Sequence, residues 1–387
     1  MRFTLDDIRS TAMAPVAAAA ILILAPASAA TAASVEITAC GQVIASGNGF
    51  LEADLDCTGH AGPGVALSRG TSLDLRGHVL SGGDGNGIEC TDKCLVTSRF
   101  EDASVEGFAG HGIVVAQGTD STPRVTVRSI AVRDNGGSGI LVDAPAGNAS
   151  VRRVEITGNG DAGVSAPGFV RAGACTVSDN TGVGLSGGRM LVKKATIQRN
   201  AVGIVSTQYL LVNTVEVSEN IGDGIQADKA FKSRFLNSLS NGGTGLVMAS
   251  IDGPARVFFT EISDNGGDGI RVDGSHIKLL FTRWCFVRRN AGSGIVSHNL
   301  RATFTRADDN GLFGVVGLPN AEGCKLRLNR FSMSGNATDA ACGVSQTCAD
   351  IASCDELMFF HPETACATSY DTNSGFPGTS LGVCPGD

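Results

Sequence analysis

A glycine-centred turn recurs along most of the chain, and it restricts the fold more than any other feature. Asp264-Asn265-Gly-Gly-Asp-Gly269-Ile270 is one copy. Asn135-Gly-Gly-Ser-Gly-Ile140, Asn180-Thr-Gly-Val-Gly-Leu185, Asn220-Ile-Gly-Asp-Gly-Ile225 and Asn290-Ala-Gly-Ser-Gly-Ile295 are others, and looser copies end at Gly87-Ile88 and Gly112-Ile113. The last glycines run from Gly87 to Gly314 at intervals of 19 to 27 residues, and each of the eleven is followed by Ile, Val or Leu. A period of this size marks a solenoid, in which each repeat buries its apolar face only against its neighbours.

Seven residues before the glycine lies a second apolar site, occupied by Val132, Ile156, Val177, Val217, Ile262 and Val287. Two further back lie Ile130, Val154, Cys175, Val215, Leu236 and Cys285. The residues between are mostly polar, so the period is two and the elements are strands. The expected architecture is all-β: about eleven coils of short strands, stacked at roughly 4.8 Å, with inward aliphatic columns. The asparagine opening each turn is expected at a left-handed backbone position and in a hydrogen-bonded column, with the glycine supplying a second unusual dihedral.

On these turns the chain resembles the right-handed parallel β-helix proteins of the pectate-lyase-like superfamily, over about residues 71–318. The opening coils, Leu51-Glu-Ala-Asp-Leu-Asp-Cys57 and Ser72-Leu-Asp-Leu-Arg-Gly-His78, are similar to those of secreted bacterial members, many of which have no assigned activity. The resemblance implies a single right-handed parallel β-helix, and its open ends, where the repeat is missing and cysteines cluster, are expected as disulfide-rich terminal caps.

The chain order then reads as a signal peptide (1–29), an N-terminal cap (30–70), the β-helix (71–321) and a C-terminal cap (322–387). Val16 to Ala30 is too short an apolar run to span a bilayer comfortably. It ends in Ala27-Ser28-Ala29, a small-residue cleavage pattern. The competing reading is an uncleaved anchor, because Asp6 and Asp7 offset Arg2 and Arg9. No later stretch is long and apolar enough for a membrane helix. The expected location is secreted, periplasmic or cell-surface, and the expected state a monomer. The net charge of −8 argues against a general nucleic-acid binder.

All twelve cysteines lie beyond the proposed signal. Cys175 and Cys285 fall in one inward column, five coils apart, too far to bridge each other. They are expected as buried free thiols. The other ten (Cys40, Cys57, Cys90, Cys94, Cys324, Cys342, Cys348, Cys354, Cys366 and Cys384) are disulfide candidates. Cys40 and Cys57 bracket the opening segment, Cys90 and Cys94 bracket one turn, and connectivity in the tail is not deducible. Zinc is the weaker reading, since Cys90-x-x-x-Cys94 has no partner pair at ligand spacing.

Three outward features carry candidate chemistry. Four residues past the turn glycine, Asp273 and His298 fall on adjacent coils, about 5 Å apart in a regular stack. Arg271 shares the strand of Asp273, and Lys278 follows. Together these four would neutralise a uronate carboxylate and move its C5 proton. The competing reading is a solvated, salt-bridged strand face. Residues 232–306 hold ten Lys or Arg against five acids, and this locally basic stretch would suit an acidic polysaccharide. Ten residues before the glycine, Phe235, Phe259, Trp284 and Phe304 stand on consecutive coils, either stacking sugar rings or covered by a loop or tail. Arg283, Arg288, Trp284 and Phe259 are the expected ligand-binding residues. Calcium is a candidate cofactor, with Asp264 and Asp268 as available oxygen ligands.

Two family motifs fail to appear. Gly110-His111-Gly112 resembles a polygalacturonase motif, but the Asn-Thr-Asp motif is missing and Asp308-Asp309 falls after the histidine. The Asp-Pro-His motif of alginate epimerases is also missing. His111 therefore reads as a turn residue. The expected function is engagement of an extracellular, acidic polysaccharide. As an enzyme the protein would be a uronate lyase or C5-epimerase. The alternative is a non-catalytic binding, surface or adhesin-like scaffold.

Overall fold

The computed structural model describes residues 34–120, 122–249, 255–273, 279–318 and 325–342. They form a parallel β-solenoid of about twelve turns with no helix among them. The proposed signal peptide lies outside the described residues, as does nearly all of the proposed C-terminal cap. Residues 34–67, expected as a cap, contribute strands that pair directly onto the stack: Ser34–Glu36 pairs with Asn48–Phe50, and Gln42–Ile44 with Val65–Leu67.

One coil shows the plan. Ile140–Asp143 follows the turn glycine, Asn148–Arg152 comes next, and Glu155–Thr157 leads to the following asparagine. Each strand pairs in parallel with its counterparts on the coils before and after. Three faces result, called here the glycine-side, middle and asparagine-side sheets. In coils such as Val183–Gln198 and Val202–Ser218 the strand runs on through the corners without a break.

Alternation fills the interior with continuous columns. Ile113, Ile140, Val164, Leu185 and Ile204 form one, and Val105, Val132, Ile156, Val177 and Ile197 another, all fully buried. Cys175 and Cys285 sit in a third column as buried free thiols, and burial pushes both up to about 12. They stay protonated and unreactive near neutrality. Two expected disulfides are present, Cys40–Cys57 and Cys90–Cys94. Cys324, Cys348, Cys354, Cys366 and Cys384, and the side chain of Cys342, lie outside the described residues.

Both turn assignments need correction. The asparagine is not left-handed. The residue before it is, as at Asp134 (φ 55°), Asp179 (59°), Arg199 (52°) and Asp264 (60°). That bend turns the following asparagine inward, where it is buried. From Asn135 to Asn336, each Nδ2 donates to the Oδ1 of the asparagine one coil on, at 2.8–3.2 Å. The stacked asparagine column is therefore present. The turn glycine has no positive φ either. It is needed because space is lacking: a Cβ on Gly269 would lie 2.3 Å from Val287 Cγ1 and 2.6 Å from the Gly294 carbonyl.

Candidate functional site

The middle sheet meets the asparagine-side sheet at a corner of one residue. That residue is left-handed on every coil from Ser129 onwards: Arg153, Ala174, Lys194, Thr214, Phe235, Phe259, Trp284, Phe304 and Arg330 follow, all with φ between 49° and 57°. The local sequence shows why. Two outward residues stand between inward ones, as in Val151-Arg152-Arg153-Val154, so a strict alternation would bury the second. A left-handed bend keeps it outside.

This corner and the middle sheet carry only one sign of charge. Coil by coil they present Arg124 and Arg128, then Arg152 and Arg153, then Arg171. Arg189, Lys193 and Lys194 follow; the next coil, Tyr209 to Thr214, is uncharged, and Lys232 and Arg234, Arg256, Arg283 and Arg301 come after it. All are exposed, and no Asp or Glu occupies any position of these strands or their corner from Arg124 to Phe304. None of them makes an ion pair among the described residues. The strip crosses nine coils, eight steps, or roughly 38 Å at about 4.8 Å per step. A strip of unpaired cations in a protein of net charge −8 holds a local positive potential that the net charge conceals.

The aromatic column lies along the same corner. Phe235, Phe259 and Trp284 are 47%, 44% and 41% exposed, so no loop among the described residues covers them. Their faces, however, are turned to one another. Trp284 and Phe304 stack at 4.1 Å and 4°, and Phe235 and Phe259 at 5.3 Å and 28°. Arg234 caps Phe235 at 5.0 Å and Arg330 caps Phe304 at 4.8 Å. Bulky side chains at left-handed positions carry strain of order 1 kcal/mol each, which ring stacking of about 0.5–1.5 kcal/mol per pair offsets. The result is two stacked ring pairs along the corner, each capped by an arginine.

The expected site residues divide among three faces. Arg283, Trp284 and Phe259 lie on the middle sheet and its corner. Arg288 lies on the asparagine-side sheet, where its Nη2 donates to Glu261 Oε1 at 2.7 Å. Arg271 and Asp273 lie on the glycine-side sheet. Arg271 Nε donates to Asp273 Oδ1 at 2.7 Å and Nη1 to Asp268 Oδ2 at 3.4 Å, and the Asp273 hydrogen bond raises the arginine above its usual range. The register Ile270↔Ile295, Arg271↔Val296, continued two residues, aligns Asp273 with His298 on the next coil. His298 is buried, its Nδ1 3.1 Å from the Leu318 carbonyl oxygen. Lys278 lies outside the described residues. His111 is a turn residue whose Nδ1 accepts from the Ser138 amide at 2.9 Å.

The expected calcium ligands have other partners. Both oxygens of Asp264 accept from Arg289, at 2.7 and 2.8 Å, and that pairing holds its carboxyl below the usual range. Asp268 accepts from the Ser293 amide at 2.7 Å and from Arg271. Among the described residues no group of three His, Cys, Asp or Glu is placed to hold a metal. No helix there is long and apolar enough to cross a membrane.

A family model described as a right-handed β-helix region matches residues 20–181. Over that stretch the chain matches the right-handed β-helix region, and the same parallel solenoid continues beyond it through the described residues to Cys342. No curated protein matches the sequence. Among solved structures, the A-module of a mannuronan C-5 epimerase from Azotobacter vinelandii aligns at 12% identity over 77% of this chain and 91% of that one, with a TM-score of 0.44. The Dettilon tailspike protein aligns at 14% over 73% and 62%, with a TM-score of 0.35. A surface adhesin of Streptococcus pneumoniae aligns at 10% over 78% and 82%, with a TM-score of 0.17. These likenesses are of fold, and no ligand for this β-helix protein follows from them.

Proposed function

We propose that this β-helix protein binds an acidic polysaccharide laid along the middle sheet and its aromatic corner. The observation that carries the reading is the acid-free strip of exposed, unpaired arginines and lysines. Arginine predominates in it, and a planar guanidinium suits bidentate pairing with the carboxylate of a uronate. Each of these rings already stacks on another, which leaves less of the aromatic platform that binders of single-stranded nucleic acid use. Export fits the same reading, since the Cys40–Cys57 and Cys90–Cys94 disulfides suit an oxidising compartment.

Gel affinity electrophoresis tests the proposal. Polygalacturonate, alginate and a sulfated glycan should retard the protein, a neutral glucan should not, and the triple variant Arg171→Glu, Arg256→Glu, Arg283→Glu should migrate freely in all of them. Stronger retardation by single-stranded DNA than by any polyuronate would overturn the choice of ligand.

Catalysis on a uronate is a second proposal, supported by the contact of Arg271 with Asp273 and the alignment of His298. Charge neutralisation would fall to Arg271 and Lys278, and proton transfer to Asp273 and His298. Its test is unsaturated-product absorbance and C5 proton exchange on polyuronates, which Asp273→Ala should abolish. Turnover unchanged by Asp273→Ala would remove these residues from the chemistry.

A further inference from the structure

The strongest irregularity in the stack lies at the N-terminal end of the same corner. After Lys93–Thr97 the chain takes five residues, Ser98 to Asp102, to reach the inward Ala103, where later coils use one. The insertion is held in shape. Ser98 Oγ accepts from the amides of Gly77 at 3.0 Å and Phe100 at 3.1 Å, and donates to the Phe100 carbonyl at 2.8 Å. Asp102 closes it in a left-handed conformation, φ 71°.

Phe100 stands out from this loop, 60% exposed. It borders two recesses at once, one of about 490 Å³ and one of about 470 Å³. Unlike the corner rings above, it has no aromatic or cationic partner among the described residues, so its ring faces are available. The larger recess also differs from the strip in charge. Arg99, Arg133 and Arg153 line it together with Glu101, Asp102 and Glu155, three of each sign. Arg133 is committed to Glu106 at 2.6 Å and Arg99 lies 3.9 Å from Asp74, whereas Arg153 and Glu155 make no ion pair among the described residues.

We infer that the Phe100 recess is a subsite for a neutral, hydroxyl-bearing sugar ring. With Arg99 and Arg133 engaged by Asp74 and Glu106, the recess holds no excess of cations to attract a uronate or a phosphate. Adjacent sugar hydroxyls both donate and accept, so the unpaired guanidinium of Arg153 and carboxylate of Glu155 would pair with them. The C–H face of the ring suits a free aromatic face, and a held loop limits the ordering cost of binding. The inference does not depend on the polyanion reading. Where both hold, the ligand is a polymer with charged and neutral sugars, and the two kinds are read at different places.

Saturation-transfer NMR on the full chain tests it, with glucose, galactose, mannose and N-acetylglucosamine as probes at millimolar concentration and galacturonate as the charged comparison. At least one neutral sugar should receive saturation. The signal should fall about fivefold or more in Phe100→Ala and persist in Phe100→Tyr, as expected for a ring contact. Retardation of Phe100→Ala by polyuronate should equal that of the parent, and its melting temperature shows that it is folded. Arg171→Glu should leave the sugar signal intact. Absence of transfer to every neutral sugar, undiminished transfer in folded Phe100→Ala, or stronger transfer to galacturonate would each overturn the assignment.

Discussion

The middle and asparagine-side sheets share a corner and both carry arginine, yet they use it in opposite ways. On the asparagine side, arginines pair with carboxylates of neighbouring coils: Arg133 with Glu106 at 2.6 Å, Arg199 with Asp179 at 2.6 Å, Arg288 with Glu261 at 2.7 Å and Arg289 with Asp264 at 2.7 Å. On the middle sheet, from Arg124 to Phe304, no carboxylate exists to pair with. Parallel stacking repeats each outward position about every 4.8 Å, so like charges on adjacent coils repel unless an acid is interleaved. One face is arranged to stabilise the stack, and the other forgoes that stabilisation along nine coils. That difference is why the proposed binding falls to the second.

Charge reversal should separate the faces most widely. Arg171→Glu, Arg256→Glu and Arg283→Glu together should weaken polyuronate binding by about a hundredfold, taking each exposed charge as roughly 1 kcal/mol. Exchanging the two charges of one asparagine-side pair, in the double variant Arg199→Asp, Asp179→Arg, should change it by less than about twofold. Equal losses from both would erase the distinction, as read by affinity electrophoresis.

The backbone shared by both faces should be the most sensitive to stability. Asn265 Nδ2 donates to Asn290 Oδ1 at 2.8 Å and to the Ser238 carbonyl at 3.1 Å, while its Oδ1 accepts from Asn241 Nδ2 at 2.9 Å. Asn265→Val leaves these buried groups without partners and should cost about 3 kcal/mol in urea unfolding, at 1–3 kcal/mol per orphaned group. Gly269→Ala should cost about 1–3 kcal/mol through overpacking. An unchanged urea midpoint in either variant would contradict the turn geometry.

Smaller effects sharpen the contrast. Arg289→Ala should lower stability by less than about 1 kcal/mol at neutral pH, since the pair is exposed. Hydrogen bonds from Arg289 and Arg199 hold Asp264 and Asp179 below the ordinary carboxylate value. A depressed folded value contributes stability above the unfolded value of about 3.9, which is lost as pH falls through the folded value. The difference between parent and Arg289→Ala should therefore close in acid. Arg171→Gln should instead leave the melting temperature unchanged or raise it by relieving repulsion. A loss as large as that of Arg289→Ala would mean that the middle sheet is also stabilised by its charges.

The fold was legible because its signal repeats. Eleven turn glycines, each followed by an aliphatic residue, mark the coils, and the inward columns follow from alternation. Dihedrals were less legible, since an asparagine opening a turn fits a left-handed bend as readily as a buried ladder. Only the coil above and below distinguishes them. The basic strip was seen in part, as the excess of cations in residues 232–306. Its extension to Arg124, Arg128, Arg152, Arg171 and Lys193 needed each strand assigned to a face, because acids such as Glu155 and Glu216 are close in sequence but lie on another sheet. The corner did leave a trace: pairs such as Arg152-Arg153, Lys193-Lys194 and Phe258-Phe259 interrupt the period of two. Ring orientation left none, because stacking depends on the bend that alternation conceals.

The most direct test of the central claim is the salt dependence of polyuronate binding. For an acid-free strip as the binding surface, affinity should fall steeply and linearly with salt on logarithmic axes, and the slope should shrink by about one for each strip arginine replaced by glutamine. A slope that does not respond to Arg171→Gln, Arg256→Gln or Arg283→Gln, but does respond to Arg271→Gln on the glycine-side sheet, would contradict it and place the ligand on the other face.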